Sequence, residues 1–164
     1  MTGDFFRQVA VTWPNYTQAM RGYDIEEMDK IERLYGIVIA GELREFLMQA
    51  GRCDGGLIGD DPIVLYRPTW TARTHILFQM KIFNDLQEIG AWQYMSKPFV
   101  FAVESETQYF YLRTGELNDK FVYWYDENNE TVKNTQKTLF EYLTDVLDRY
   151  PRGETVCCGD LLKI

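Results

Sequence analysis

The sequence predicts an α+β domain in which an antiparallel sheet of about four to six strands is flanked by N-terminal helices and a C-terminal helix. Three observations support this fold. Apolar residues recur at helical spacing between residues 24 and 89, β-branched and aromatic runs follow between 99 and 126, and an amphipathic segment comes last. Helices, then consecutive strands, then a helix is the order expected of an α+β domain with helices on one sheet face.

The first 51 residues contain two predicted helices. Residues 1–23 are rich in aromatic side chains but show little periodicity, so we expect them to wrap over the domain. The first helix begins after the N-cap Asp24 and ends at Gly36, and the second spans 41–50 and ends at Gly51. In both segments apolar residues recur at i, i+3 and i+7, which is typical of a helix with one buried face.

The middle of the chain combines a turn, a short apolar run and a third helix. Residues 52–62 are rich in glycine and aspartate, which favour turns, and 63–66 are apolar, which predicts an edge strand. The third helix runs from about 74 to 89. We expect it to have a broad buried face made of Ile76, Met80, Ile82, Phe83, Leu86 and Ile89.

The sheet is predicted from three runs at 99–104, 109–114 and 121–126, with 131–135 as a possible fourth strand. Short polar turns separate them, which indicates an antiparallel meander. The closing helix follows, with Thr138 and Glu141 spaced as a capping box.

Length and charge limit the class of protein. With 164 residues, the chain is expected to form a single domain over 1–164. Its net charge of -8 disfavours nucleic acid and anionic membranes as direct partners. No secretory signal and no run of 18 apolar residues is present, so we expect a cytoplasmic protein. Cys53, Cys157 and Cys158 are an odd number with two adjacent, which predicts three reduced thiols.

No catalytic or cofactor motif is present, and we predict a protein that is not an enzyme and has no metal or cofactor. His75 has no partner at metal-ligand spacing, so a structural or surface role is favoured over a catalytic one. Redox chemistry at the vicinal pair Cys157 and Cys158 remains an alternative to two inert thiols. Gly55, Gly56 and Gly59 could suggest a phosphate cradle, but no Lys-Ser or Lys-Thr follows, and turn geometry explains them better.

Acidic residues concentrate in the predicted sheet. Residues 99–131 hold seven acidic residues against two basic ones, together with nine aromatic residues. Two interpretations remain open: a solvated face over an aromatic core, or a protein-binding surface with an acidic rim around Tyr and Trp anchors. The candidate partner-binding residues are Glu104, Glu106, Glu116, Asp119, Asp126 and Glu127, with Asp60 and Asp61 on the glycine turn as a second candidate.

The layout resembles the SUKH superfamily, named after the fungal Smi/Knr cell-wall regulators and containing many bacterial immunity proteins. The resemblance covers about 24–148; residues 1–23 and 151–164 lie outside it. The similar segments are 31–37 for the opening helix, 42–47 for the second helix, Gly51 with Gly55 and Gly56 for the glycine stretch, 97–102 for the central strand, 109–112 and 123–126 for its neighbours, and 138–143 for the closing helix.

The resemblance implies a non-enzymatic protein that binds and neutralises a cognate toxin delivered by neighbouring cells. Many such toxins are basic nucleases, so an acidic surface would occlude the active site of the toxin. An alternative is a Smi/Knr-like scaffold or regulatory module with an endogenous partner, and a third is a small hydrolase built on the carboxylates. For the oligomeric state, which the sequence leaves open, a monomer is slightly favoured.

Overall fold

The computed structural model describes residues 2–59 and 61–164. Within them six α-helices surround a four-stranded antiparallel sheet, which confirms the α+β fold class. The helices are α1 (Thr2–Thr12), α2 (Pro14–Gln18), α3 (Ile25–Tyr35), α4 (Gly41–Ala50), α5 (Ala72–Glu88) and α6 (Leu139–Arg149). The strands are β1 (Pro98–Glu104), β2 (Gln108–Arg113), β3 (Phe121–Asp126) and β4 (Thr131–Thr138). No helix in these residues is long and apolar enough to cross a membrane.

The N-terminal segment packs on the domain as expected, but it does so as helices. Phe5 on α1 stacks on Phe140 of α6 with ring centroids 4.7 Å apart. Val9 is buried in a small cluster with Leu57 and Leu147. Phe5 and Val9, which are one helical turn apart, therefore hold α1 against the rest of the domain.

The two helices predicted before residue 52 are confirmed. Asp24 accepts a hydrogen bond from the backbone N–H of Glu27 at 2.8 Å, and the Glu27 carboxylate accepts one from the Asp24 N–H at 2.9 Å. This reciprocal capping box starts α3. Gly36, with φ of 63°, ends it in the left-handed conformation that glycine adopts most easily.

The edge strand predicted at 63–66 is wrong. The Pro62 carbonyl accepts a hydrogen bond from the Val103 N–H at 2.8 Å, and Ile63 forms a single bridge with Ala102. The chain then turns into a short 3-10 helix, Val64–Tyr66, in which every residue is buried. All three residues are buried, whereas a strand with one exposed face would bury only alternate residues. The segment therefore covers the free edge of β1 without adding a strand to the sheet.

Helices cover both faces of the sheet, whereas the sequence predicts cover on one face only. The strands lie in the order β1-β2-β3-β4, and the bulges are in β1 and β4. On one face, the rings of Phe101 and Phe110 contact the ring of Tyr142 on α6, with ring centroids 5.4 and 4.8 Å apart. On the other, α5 packs on four tyrosines: Tyr109, Tyr111, Tyr123 and Tyr125.

The buried face of α5 is narrower than predicted. Ile82 and Leu86 are buried against the tyrosine face, as expected. Met80 and Phe83 are 53% and 41% exposed, so their predicted burial is wrong for the isolated chain. Apolar residues occur on two sides of α5, and only one of those sides meets the sheet.

The cysteines are not all reduced. Cys53 and Cys158 form a disulfide that joins residues 105 positions apart, and Cys157 is the free thiol. The prediction of three reduced thiols is therefore wrong. Sequence spacing argues against a disulfide between the adjacent Cys157 and Cys158, but it does not show that the C-terminal segment folds back beside Cys53. Leu161 is fully buried there and accepts a hydrogen bond from the Tyr35 hydroxyl at 2.6 Å.

Candidate protein-binding surface

The antiparallel order divides the predicted acidic rim between two ends of the sheet. The β1–β2 and β3–β4 turns lie at one end, and the β2–β3 loop lies at the other, about 20 Å away along the six residues of β2. We call the first group the acidic end; its members are Glu106, Asp126, Glu127 and Glu130. Glu116 and Asp119 belong to the opposite end.

The acidic end presents carboxylates at fixed positions. Asp126 accepts hydrogen bonds from the side chains of Gln108 at 3.0 Å and Asn129 at 2.7 Å. These bonds favour its charged form and lower its pKa. Glu127 accepts a hydrogen bond from the Tyr109 hydroxyl at 3.2 Å and lies 3.4 Å from the Lys81 ammonium group. These contacts therefore hold both carboxylates in fixed orientations, while Glu106 and Glu130 are exposed.

Glu104 does not lie on an exposed rim, although the sequence places it there. It is 8% exposed and accepts hydrogen bonds from Tyr142 at 2.8 Å and Tyr150 at 2.7 Å. Arg149 on α6 pairs with the same carboxylate. Because Glu104 ends β1 on the face that α6 covers, its charge is neutralised inside the fold.

The opposite end of the sheet offers less free charge. Asp119 forms an ion pair with Arg113 at 2.7 Å and accepts hydrogen bonds from the Tyr123 hydroxyl at 2.8 Å and the Phe121 N–H at 3.0 Å. Glu116 is exposed beside a small cavity of about 100 Å³. Asp119 therefore orders the β2–β3 loop, and Glu116 is the one exposed carboxylate among the two predicted site residues at this end.

The glycine turn is a packed structural element. Asp60 lies outside the described residues. Asp61 is exposed, and the hydrogen bond of the next residue to Val103 places it beside the end of β1. The carbonyl oxygen of Tyr16 would lie 2.2 Å from any Cβ at Gly55, whose φ is 73°. Close backbone packing therefore accounts for Gly55, as the turn interpretation predicts.

Most sheet aromatics belong to the core. The four tyrosines under α5 are each less than 7% exposed, which supports the interpretation of an aromatic core for that face. Trp124 is an exception: it is half-buried, stacks on Phe110 and carries the Lys133 ammonium group 5.5 Å above its ring. These residues line a groove of about 570 Å³ between β2–β4 and α6.

His75 is buried and structural. Its ring is fully buried against Trp70, with the ring centroids 5.0 Å apart. Burial, with a contribution from the charge of Arg67, lowers the pKa of His75 to about 4, so the ring is neutral. No group of three or more His, Cys, Asp or Glu residues within 2–59 and 61–164 is placed to hold a metal ion.

Sequence reasoning missed the outer face of α5, where Leu77, Met80 and Phe83 are 54%, 53% and 41% exposed. The signal was present, because apolar residues on α5 exceed what one buried face requires. From the sequence, Met80 and Phe83 are assigned to the core and Leu77 receives no assignment, because periodicity does not show how many sides of a helix are covered.

Comparison with known proteins identifies the family. The SUKH_6 family profile, described as SMI1-KNR4 cell-wall, matches residues 25–143, well over half of the chain. No curated protein and no solved structure matches the chain significantly. Members of this family are generally non-catalytic and act in immunity or as scaffolds. With helices and a four-stranded antiparallel sheet in the expected order, the chain belongs to the SMI1/KNR4 family of the SUKH superfamily.

Proposed function

We propose that this protein is an immunity protein that binds a basic toxin domain and blocks the active site of that toxin. The observation that carries the proposal is the acidic end of the sheet. There, carboxylates from two turns lie together, and hydrogen bonds fix Asp126 and Glu127. The negative charges attract a basic partner over long range. Because hydrogen bonds already fix these side chains, they lose less conformational entropy on binding than mobile side chains would.

The toxin would be inhibited because the immunity protein occupies the surface that binds its substrate. A basic nuclease domain has a cationic surface that binds the phosphates of its substrate, and bound carboxylates would compete for that surface. Asp61, beside the end of β1, extends the negative surface along the sheet edge. Glu104 and Asp119 are excluded from the proposed contact surface because their side chains are only 9% and 12% exposed and their charges are paired within the fold. Glu127 also faces Lys81, but its side chain is 38% exposed and remains open to a partner.

A second candidate is a SMI1/KNR4-like scaffold that binds an endogenous partner. The family match supports this function directly, whereas the immunity proposal depends on the acidic end of the sheet. The two differ in the partner, since an immunity protein protects against a toxin whose gene lies beside its own. The first experiment is therefore co-expression with the product of the adjacent upstream gene, with survival and co-purification as readouts.

The acidic end is tested by charge reversal. The triple variant Glu106→Lys, Glu127→Lys and Glu130→Lys should slow association with the toxin at least about tenfold at low salt. The matched control, Glu26→Lys, Asp29→Lys and Glu116→Lys, changes exposed acids elsewhere by the same charge and should retain fast association. Equal association rates and equal protection for both variants would rule out the acidic end. If the upstream product neither binds nor kills, the scaffold function is favoured.

A further inference from the structure

The outer side of α5 is apolar and has no described partner. Ile76, Met80 and Phe83 recur at 3-4 spacing, and Arg73 and Gln87 continue that spacing on either side. We call these five residues the α5 seam. An alternation of three and four residues keeps side chains on one line along a helix, which is the pattern that packs against a second helix.

We propose that the α5 seam binds the α5 seam of a second copy of this chain, in antiparallel orientation about a two-fold axis at Met80. In such a pair, residues whose numbers sum to 160 lie opposite each other. Met80 then meets its own copy, and Phe83 lies beside Ile76 of the second copy. This proposal concerns self-association and is independent of the toxin contact proposed at the acidic end.

Charge complementarity identifies the second copy as the occupant. Arg73 is exposed at one end of the seam and Glu88 is exposed at the other. Within the described residues neither side chain forms an ion pair or a hydrogen bond. Antiparallel pairing places Arg73 of each chain beside Glu88 of the other, so one two-fold axis creates two ion pairs.

The exposure of the central residues supports the same pairing. Met80 and Phe83 of the α5 seam are 53% and 41% exposed, and Leu77, beside the seam, is 54% exposed. Together these three residues form one apolar strip on a helix about 25 Å long. A helix that is apolar on two sides is normally covered on both. The sheet covers the side with Ile82 and Leu86, and the second copy would cover the other.

The strip is short, so we expect a dimer of modest affinity. An interface of this kind lies near the lower limit of stable protein–protein contacts. We expect a Kd on the order of 10 µM, because the apolar centre is small and each exposed ion pair contributes little. The dimer would form at the concentrations used for sedimentation and would dissociate on dilution.

The test is sedimentation equilibrium of the full chain from 1 to 300 µM. We expect the mass to rise from monomer to dimer. Met80→Asp should abolish the rise, because two carboxylates would meet at the axis. Met48→Asp is the matched control, since Met48 is a 46% exposed methionine on α4, and it should dimerise like the original chain. Circular dichroism shows whether each variant is folded.

Charge exchange tests the orientation. Arg73→Glu alone and Glu88→Arg alone should each weaken the dimer about tenfold, because two attractive contacts become repulsive. The double variant should restore the original Kd. A monomer at every concentration would overturn the proposal, as would a dimer that Met80→Asp leaves intact or a double variant that remains weak.

Discussion

Glu104 at the end of β1 and Arg149 in the last turn of α6 form an ion pair that ties the sheet to the closing helix. Arg149 donates to both carboxylate oxygens, and the Tyr142 and Tyr150 hydroxyls donate to the same group. Four donors therefore converge on one carboxylate that is 8% exposed. An acid that the sequence assigns to a binding surface instead stabilises the packing of α6.

Replacing Glu104 with Gln should destabilise the fold by about 2 kcal/mol at pH 7. The charge that pairs with Arg149 is lost, and one donor must face the amide nitrogen. The cost stays below that of a fully buried pair because the Arg149 side chain is 50% exposed and keeps contact with water. Urea unfolding measures the change. Glu106→Gln, at an exposed acid two residues away, should have no effect.

The same substitution has a predictable pH dependence. Burial by itself raises the pKa of Glu104, but the hydrogen bonds from Arg149, Tyr150 and Tyr142 outweigh it and hold the pKa below its ordinary value. The stability from this carboxylate is therefore complete above the unfolded pKa of about 4.3 and is lost as the pH falls through the folded pKa. The stability difference between the original chain and Glu104→Gln should shrink below about pH 4. A difference that stays constant down to pH 3 would contradict this explanation.

Local signals predicted much of the fold. The structure confirms the N-cap at Asp24, the helix end at Gly36 and the four strands. Each of these features is determined by residues close together in the sequence, so each could be predicted. The expected capping contact at α6 is also present, since Thr138 accepts a hydrogen bond from the Glu141 N–H at 3.3 Å.

Long-range placement could not be predicted. The partner of Cys53 lies 105 residues away, and Glu104 meets Arg149 across 45 residues. The acidic rim could be located as a stretch of sequence, but its division between two ends depends on strand direction. Met80 is exposed because only one side of α5 faces the sheet, which periodicity alone does not show.

His75 should make the protein sensitive to mild acid. Its ring is fully buried, and within the described residues neither ring nitrogen forms a hydrogen bond. Burial, followed by the charge of Arg67, lowers its pKa to about 4, whereas the unfolded value is about 6.5. The unfolded chain therefore binds the proton first, so the stability is complete above about pH 6.5 and falls as the pH drops toward 4.

The expected loss from His75 is about 2 kcal/mol between pH 7.5 and pH 5. His75→Leu removes this titration, so the free energy of unfolding of that variant should change less over the same interval. Urea unfolding at both pH values measures it. If the variant and the original chain lose the same stability, another group is responsible for the acid sensitivity.

The disulfide between Cys53 and Cys158 should stabilise the fold by anchoring the C-terminal segment. It closes a loop between residues 105 positions apart, which reduces the entropy of the unfolded chain and contributes about 2–4 kcal/mol. Cys158→Ser should lower the Tm by about 6–12 °C, and a thiol reductant should have the same effect on the original chain. Cys157→Ser is the matched control because Cys157 is free, and its Tm should be unchanged. Thiol titration of the oxidised, denatured chain should find one free thiol, and finding three would contradict the pairing.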